Sequence, residues 1–149
     1  MDEIYNSRIL ELAGNIGLSG EMPDADGVSE KHSKLCGSKV KVFVKMSDGV
    51  VTAFSHKVRA CALGQASSAV MAKHVVGASA GEVRQARADM VEMLTQGGEG
   101  PSGRFEEMRV LQPVRDFKAR HASTLLTFDA VVDAISQIEA KHHAEPASA

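Results

Sequence analysis

Apolar and polar residues alternate from Lys39 to Met46, with Val40, Val42, Val44 and Met46 falling on one face of an extended chain. Ser47-Asp48-Gly49 is a turn signal, and the β-rich run VVTAFSHKV follows it at 50–58, so the pattern predicts a hairpin. A third short strand is expected among residues 55–60. Elsewhere the period lengthens. Ile4, Ile9, Leu12 and Ile16, with Tyr5, recur near helical spacing over 2–16 behind an acidic first turn, which predicts an N-terminal amphipathic helix. Residues 17–35 carry three Gly, one Pro and many polar groups, and read as a long loop.

After Cys61, an Ala- and Ser-rich run over 62–76 predicts a helix ended by Gly77. Ser79-Ala80-Gly81-Glu82 is a capping-box signature, opening a helix with Val83, Ala86, Met90, Val91 and Leu94 inward. The run from Gly97 to Gly103 breaks that helix, and Phe105 to Val114 reads as a short helical piece closed by Pro113. A final helix over 120–141 places Leu125, Phe128, Val131, Val132, Ile135 and Ile138 on its apolar stripe. The tail, 142–149, is expected to be disordered. The elements amount to one α+β domain over 1–141, with helices packed on one face of a small antiparallel sheet.

Composition narrows the function. Hydrophobic residues make up 44% and charged residues 24%, ordinary for a globular domain, and the net charge of −2 leaves no basic stripe for nucleic acid. No apolar run is long enough to span a membrane, and Asp2 and Glu3 stand where a signal peptide would be positive, so a cytoplasmic location is the default expectation. Met71, Met90, Met93 and Met108 read as core filler. His56 and His74, inside regular elements, are expected at the surface.

The chain has two cysteines, and in a reducing compartment these serve as metal ligands, a reactive thiol or inert packing. Cys36 precedes the first hairpin strand, and Cys61 sits where the strands give way to a small-residue helix. An antiparallel pairing of 39–46 with 50–58 would bring both to one rim of the sheet. Gly37 permits a turn beside Cys36, and the amides of the helix after Cys61 favour an anionic sulfur. Two thiolates do not complete a tetrahedral site. His121, at the start of the last helix, is the best third candidate; His32 is a second, and Asp24 and Asp26 are weaker ones. Inert packing stays open for either cysteine, since free cysteine is among the most buried residue types.

Three segments carry a resemblance that covers Ile4 to Ile138. Cys36-Gly37-Ser38 before a strand is similar to the Cys-Gly-Asp of the IscU/SufU/NifU N-terminal family of iron–sulfur cluster assembly scaffolds. CALGQAS (61–67) is similar to that family's second-cysteine segment, and RDFKARHASTL (115–125) to the segment holding its third cysteine. The stretch from Gly97 to Leu111 is like the insertion that marks the SufU type. The family aspartate falls on Ser38 and the third cysteine on Ala122, beside His121.

The resemblance implies a SufE/NifU-like fold with a three-stranded antiparallel sheet, and a carrier with no turnover of its own. Iron, an iron–sulfur cluster or sulfur would be held transiently at Cys36 and Cys61 with His121 assisting, and zinc suits the same donors. A cysteine desulfurase and cluster-receiving proteins are the implied partners, with loops 17–35 and 97–113 covering the site or meeting them. The alternatives are a degenerate member acting as a metal-free partner or regulator, and a Cys–His thiol enzyme with Cys61 as nucleophile and His121 as base.

Overall fold

In the computed structural model, residues 6–33 and 37–144 are described, with side chains to residue 141. The elements run α1 (Ser7–Ala13), β1 (Gly27–Ser33), β2 (Ser38–Ser47), β3 (Val50–Arg59), α2 (Ala62–His74), α3 (Ala80–Gln96), a 3-10 segment (Gly103–Asp116), a 3-10 turn (Lys118–Arg120) and α4 (His121–Ala144). The strands form one antiparallel sheet in the order β1-β2-β3.

The predicted hairpin is β2–β3, closed by Asp48 and Gly49, both at the positive φ that a two-residue turn of type I′ requires. The third strand is not at 55–60, of which residues 55–59 belong to β3. It is β1, inside the stretch that reads as a loop. Its inward residues Gly27, Ser29, Lys31 and Ser33 pair with Val44, Val42, Val40 and Ser38, so no apolar alternation marks it. Small and polar residues suit that face because α4 packs against it, with Ser29 Oγ donating to Asp133 at 2.7 Å.

Val40, Val42 and Val44 are fully buried on the inner face of β2, under helices that carry Phe128, Val131 and Ile135. Helix α2 touches α1, α4, the 3-10 segment and β3, and nine residues of it are buried. That position explains its composition: a helix enclosed on every side needs small side chains, and loses the one-sided stripe of a surface helix. Gly64 makes the closest approach, since a Cβ there would lie 2.8 Å from Ala60 Cβ and 3.3 Å from the Ser123 carbonyl oxygen.

Helix α3 starts at the predicted capping box, Ser79 Oγ accepting from Glu82 N and Glu82 Oε1 from Ser79 N, each at 3.1 Å. It ends at Gly97 in the left-handed region. Met93 takes the buried place expected for Val91, and Leu126 that expected for Leu125. All four methionines named above are buried. The piece expected to close at Pro113 runs through it to Asp116 as 3-10 helix. Helix α4 extends to Ala144, so residues 142–144 are helical rather than part of the tail; residues 145–149 lie outside the described part.

Residues 17–26 cross from the free edge of β3 to β1. Gly20 N donates to His56 O and His56 N to Leu18 O, and Asp26 N then reaches Val44 O. On the way Glu21 pairs with Lys57 and Asp24 with Lys45 on the outer face of the sheet.

Candidate functional site

Cys61 occupies the N-cap of α2, two residues beyond the end of β3, and is half-buried. Its side chain does not cap the helix. It approaches Ser123 instead, with Cys61 Sγ donating to Ser123 Oγ at 3.7 Å. Ser123 is buried and donates to Arg120 O at 3.1 Å, and Thr124 Oγ1 donates to the same carbonyl at 2.9 Å. Ser67 Oγ of α2 reaches Thr124 O at 2.7 Å. Hydroxyls thus tie the first turns of α2 and α4 together, so the positive ends of two helix dipoles meet near one sulfur. An anionic sulfur or its cargo is the species such a corner favours.

His121 is the first residue of α4, two residues before Ser123. Its Nε2 is 3.1 Å from the carbonyl oxygens of Val114 and Arg115, so this nitrogen carries a proton and donates. Ala122, the next residue, is exposed.

Cys36 lies outside the described residues. Its neighbours in sequence are informative: Ser33 pairs with Ser38, and Lys39 with Arg59, so the β1–β2 connection and the end of β3 share one end of the sheet. A cleft of about 640 Å³ opens there, lined by His32, Ser33, Gly37, Ser38, Lys39 and Arg59. Ser38 is buried. Among the described residues no three His, Cys, Asp or Glu side chains are grouped to hold a metal ion.

The other histidines and acids divide. His32 lies at the same sheet end on the outer face, 3.6 Å from Glu30. Asp24 and Asp26 lie at the opposite end, the first on Lys45 at 2.8 Å and the second accepting from Met46 N at 3.0 Å, so they are not candidates for this site. His56 is not at the surface but fully buried, because Val42 is its partner across the sheet and both face inward. Its Nε2 lies 2.8 Å from Gly17 O, its Nδ1 has no partner, and burial holds its pKa below the usual imidazole value against the effect of that carbonyl. His74 is half-buried, 2.8 Å from Glu107. Ser123 is the site residue that the sequence pattern did not single out. Its one signal was a place two residues after His121, on the side of α4 that turns toward α2.

The NifU-like N-terminal domain family matches residues 4–144. The chain belongs to that family. Among curated proteins it is similar to the iron–sulfur cluster assembly scaffold protein IscU of Thermotoga maritima, with 22% identity over 91% of this chain and 94% of the relative. Among solved structures it matches a nitrogen-fixing NifU-like protein (N-terminal) from Brucella abortus at 61% identity and TM-score 0.92, covering 94% of this chain and 97% of that one. A protein of Fervidobacterium islandicum described as a cluster assembly scaffold for the SUF system shares the fold. Its TM-score is 0.80 at 20% identity, covering 90% of this chain and 98% of that one. The α+β architecture expected of the IscU/SufU/NifU group is the one observed. No helix among the described residues is long and apolar enough to cross a membrane.

Proposed function

We propose that this protein is an iron–sulfur cluster assembly scaffold that holds iron, a nascent cluster or transferred sulfur at Cys36 and Cys61, with His121 assisting. The supporting observation is the corner at Cys61: a half-buried thiol at the N-cap of α2, facing the first turn of α4, at the sheet end to which the neighbours of Cys36 converge. Thiolate and imidazole together suit iron, iron–sulfur species and zinc. The bonds from His121 Nε2 to two carbonyls resemble the outer-shell support usual for a ligating imidazole, and leave Nδ1 for the cargo. With Ala122 and Ser38 at the positions of the other family ligands, the set is short of four, and cargo or partner must supply the rest. The role is carriage between a cysteine desulfurase and cluster-receiving proteins, in the cytoplasm, without turnover.

One observation favours the second reading, a metal-free partner or regulator in the same process. Ser38 is buried in the sheet, so the family aspartate position offers no donor to solvent. The thiol-enzyme reading gains no support, since the hydroxyl of Ser123, not an imidazole, is what Cys61 meets.

The test is metal and acid-labile sulfide content after anaerobic reconstitution with iron and sulfide. It compares wild type, Cys36→Ser, Cys61→Ser and His121→Ala, all in a background with His142 and His143 changed to Ala. Stoichiometric metal in wild type and its loss in the three variants supports the site, and accompanying sulfide indicates a cluster. Retention in both cysteine variants would sink the assignment. No metal in any form turns the reading to the metal-free partner.

A further inference from the structure

The chain is acidic overall, yet the outer face of its sheet is not. Cross-strand pairing sets Lys39 beside Arg59 and Lys41 beside Lys57, all on the face opposite the buried valines. His32 extends the first row and Glu30 the second. Two carboxylates reach this group: Glu30 lies 3.8 Å from Lys39, and Glu21 2.9 Å from Lys57. The Arg59 side chain has no hydrogen bond or ion pair among the described residues, and Lys41 lies over the ring of Phe43, 5.3 Å from its centre. A groove of about 240 Å³ runs along this face, lined by Glu30, Lys39, Lys41, Lys57, Val58 and Arg59. It shares Lys39 and Arg59 with the larger cleft at the rim near Cys61.

We propose that this face docks an acidic, extended peptide segment of a partner protein, laid along β2 and β3 and ending beside the Cys61 corner. The spacing argues for a strand-like occupant. Lys39 and Lys41, like Lys57 and Arg59, are two residues apart on one strand, hence about 7 Å apart, the same repeat with which alternate side chains of an extended peptide project. Four cations in two short rows match a few such carboxylates. They are too few to follow a nucleic-acid backbone, and the charge of the whole chain opposes one. Exposed pairs are individually weak, so the surface sets approach and register more than affinity. The identity of the partner as a donor or recipient of sulfur or cluster rests on the scaffold reading; the binding itself does not.

The probe is a fluorescein-labelled peptide of alternating glutamate and serine, titrated into the metal-free protein, with the alternating lysine–serine peptide and an oligothymidylate as comparators. Saturable binding is expected at an ionic strength of about 0.01 M, weakening about tenfold or more at about 0.1 M as the screening length falls from about 30 to about 10 Å. Amide shifts should fall on Lys39–Lys41 and Lys57–Arg59. The double variant Lys41→Gln, Arg59→Gln should bind about three- to tenfold more weakly, and Arg109→Gln, on the helical side, should bind as wild type. Cys61→Ser should also bind as wild type, so failure of the metal site would leave this result standing. No saturable binding at low ionic strength, equal losses in Arg109→Gln, shifts confined to the helices, or tighter binding of the oligothymidylate would each overturn the proposal.

Discussion

Gly27 of β1 lies directly against Ala134 of α4: a Cβ added to Gly27 would sit 2.5 Å from the Ala134 carbonyl oxygen and 3.0 Å from Ile138 Cγ1. The obstruction is helix backbone, which cannot rotate away. Gly27→Ala must therefore lift β1 or shift α4, and overpacking of this kind costs about 1–3 kcal/mol. Thermal unfolding should show a midpoint lower by several degrees. An unchanged midpoint would mean that the strand and helix do not pack this closely.

The same approach explains what the sequence pattern could and could not reveal. Strands β2 and β3 were legible because Val40, Val42 and Val44 alternate with Lys39, Lys41 and Lys45 around an Asp-Gly turn. Strand β1 was not, since contact with α4 calls for Gly and Ser where alternation calls for Val. His56 escaped because imidazole reads as polar, whereas its inward place on β3 is fixed by register with Val42. Of the site, Cys61 and the convergence of sheet ends followed from hairpin geometry. Its contact with Ser123 depends on how α4 crosses α2, which no local pattern encodes.

His56 predicts acid sensitivity with a defined window. Burial lowers its folded pKa below the unfolded value of about 6.5, so as pH falls through about 6.5 the unfolded chain takes up a proton before the folded one. Stability should decline from there, by up to about 1.4 kcal/mol per pH unit, until the folded pKa is reached. Denaturant midpoints measured from pH 8 to about pH 5 should show this slope in wild type and lose it in His56→Gln. A slope unchanged by the substitution would place its origin in another group.

Glu107 gathers Arg8 of α1 and Lys73 and His74 of α2 onto the 3-10 segment. Burial opposes its charge, but hydrogen bonds from His74, Lys73 and Arg8, with the charge of Lys73, bring its pKa down from 4.5 to about 2. A depressed carboxylate contributes above its unfolded pKa, and the contribution disappears as pH falls from about 4.5 through about 2. Because the side chains of all three partners retain solvent contact, Glu107→Gln is expected to cost on the order of 1–2 kcal/mol at neutral pH. The difference between variant and wild type in urea unfolding should vanish at the acid end of that range. A constant difference at all pH values would indicate lost packing rather than lost charge.

Gly64 separates the stability of the fold from the geometry of the corner at Cys61. Its position lets the Ser123 carbonyl come within 3.3 Å of where a Cβ would stand, while Ser123 Oγ faces Cys61 Sγ. Gly64→Ala gains helix propensity of about 1 kcal/mol, which offsets part of the overpacking cost. The net stability change should therefore be small. The shifts of Ala60, whose Cβ would lie 2.8 Å from the new one, and of the Ser123 carbonyl have no such offset, and they move the residue before Cys61 and the residue that faces it. Gly64→Ala is thus expected to unfold near the wild-type midpoint yet to bind less iron and sulfide on reconstitution. Ser123→Ala, which leaves the backbone in place, should keep more of that capacity. If Gly64→Ala reconstitutes as fully as wild type, the approach of α4 to α2 is a packing feature and the corner has no part in holding cargo.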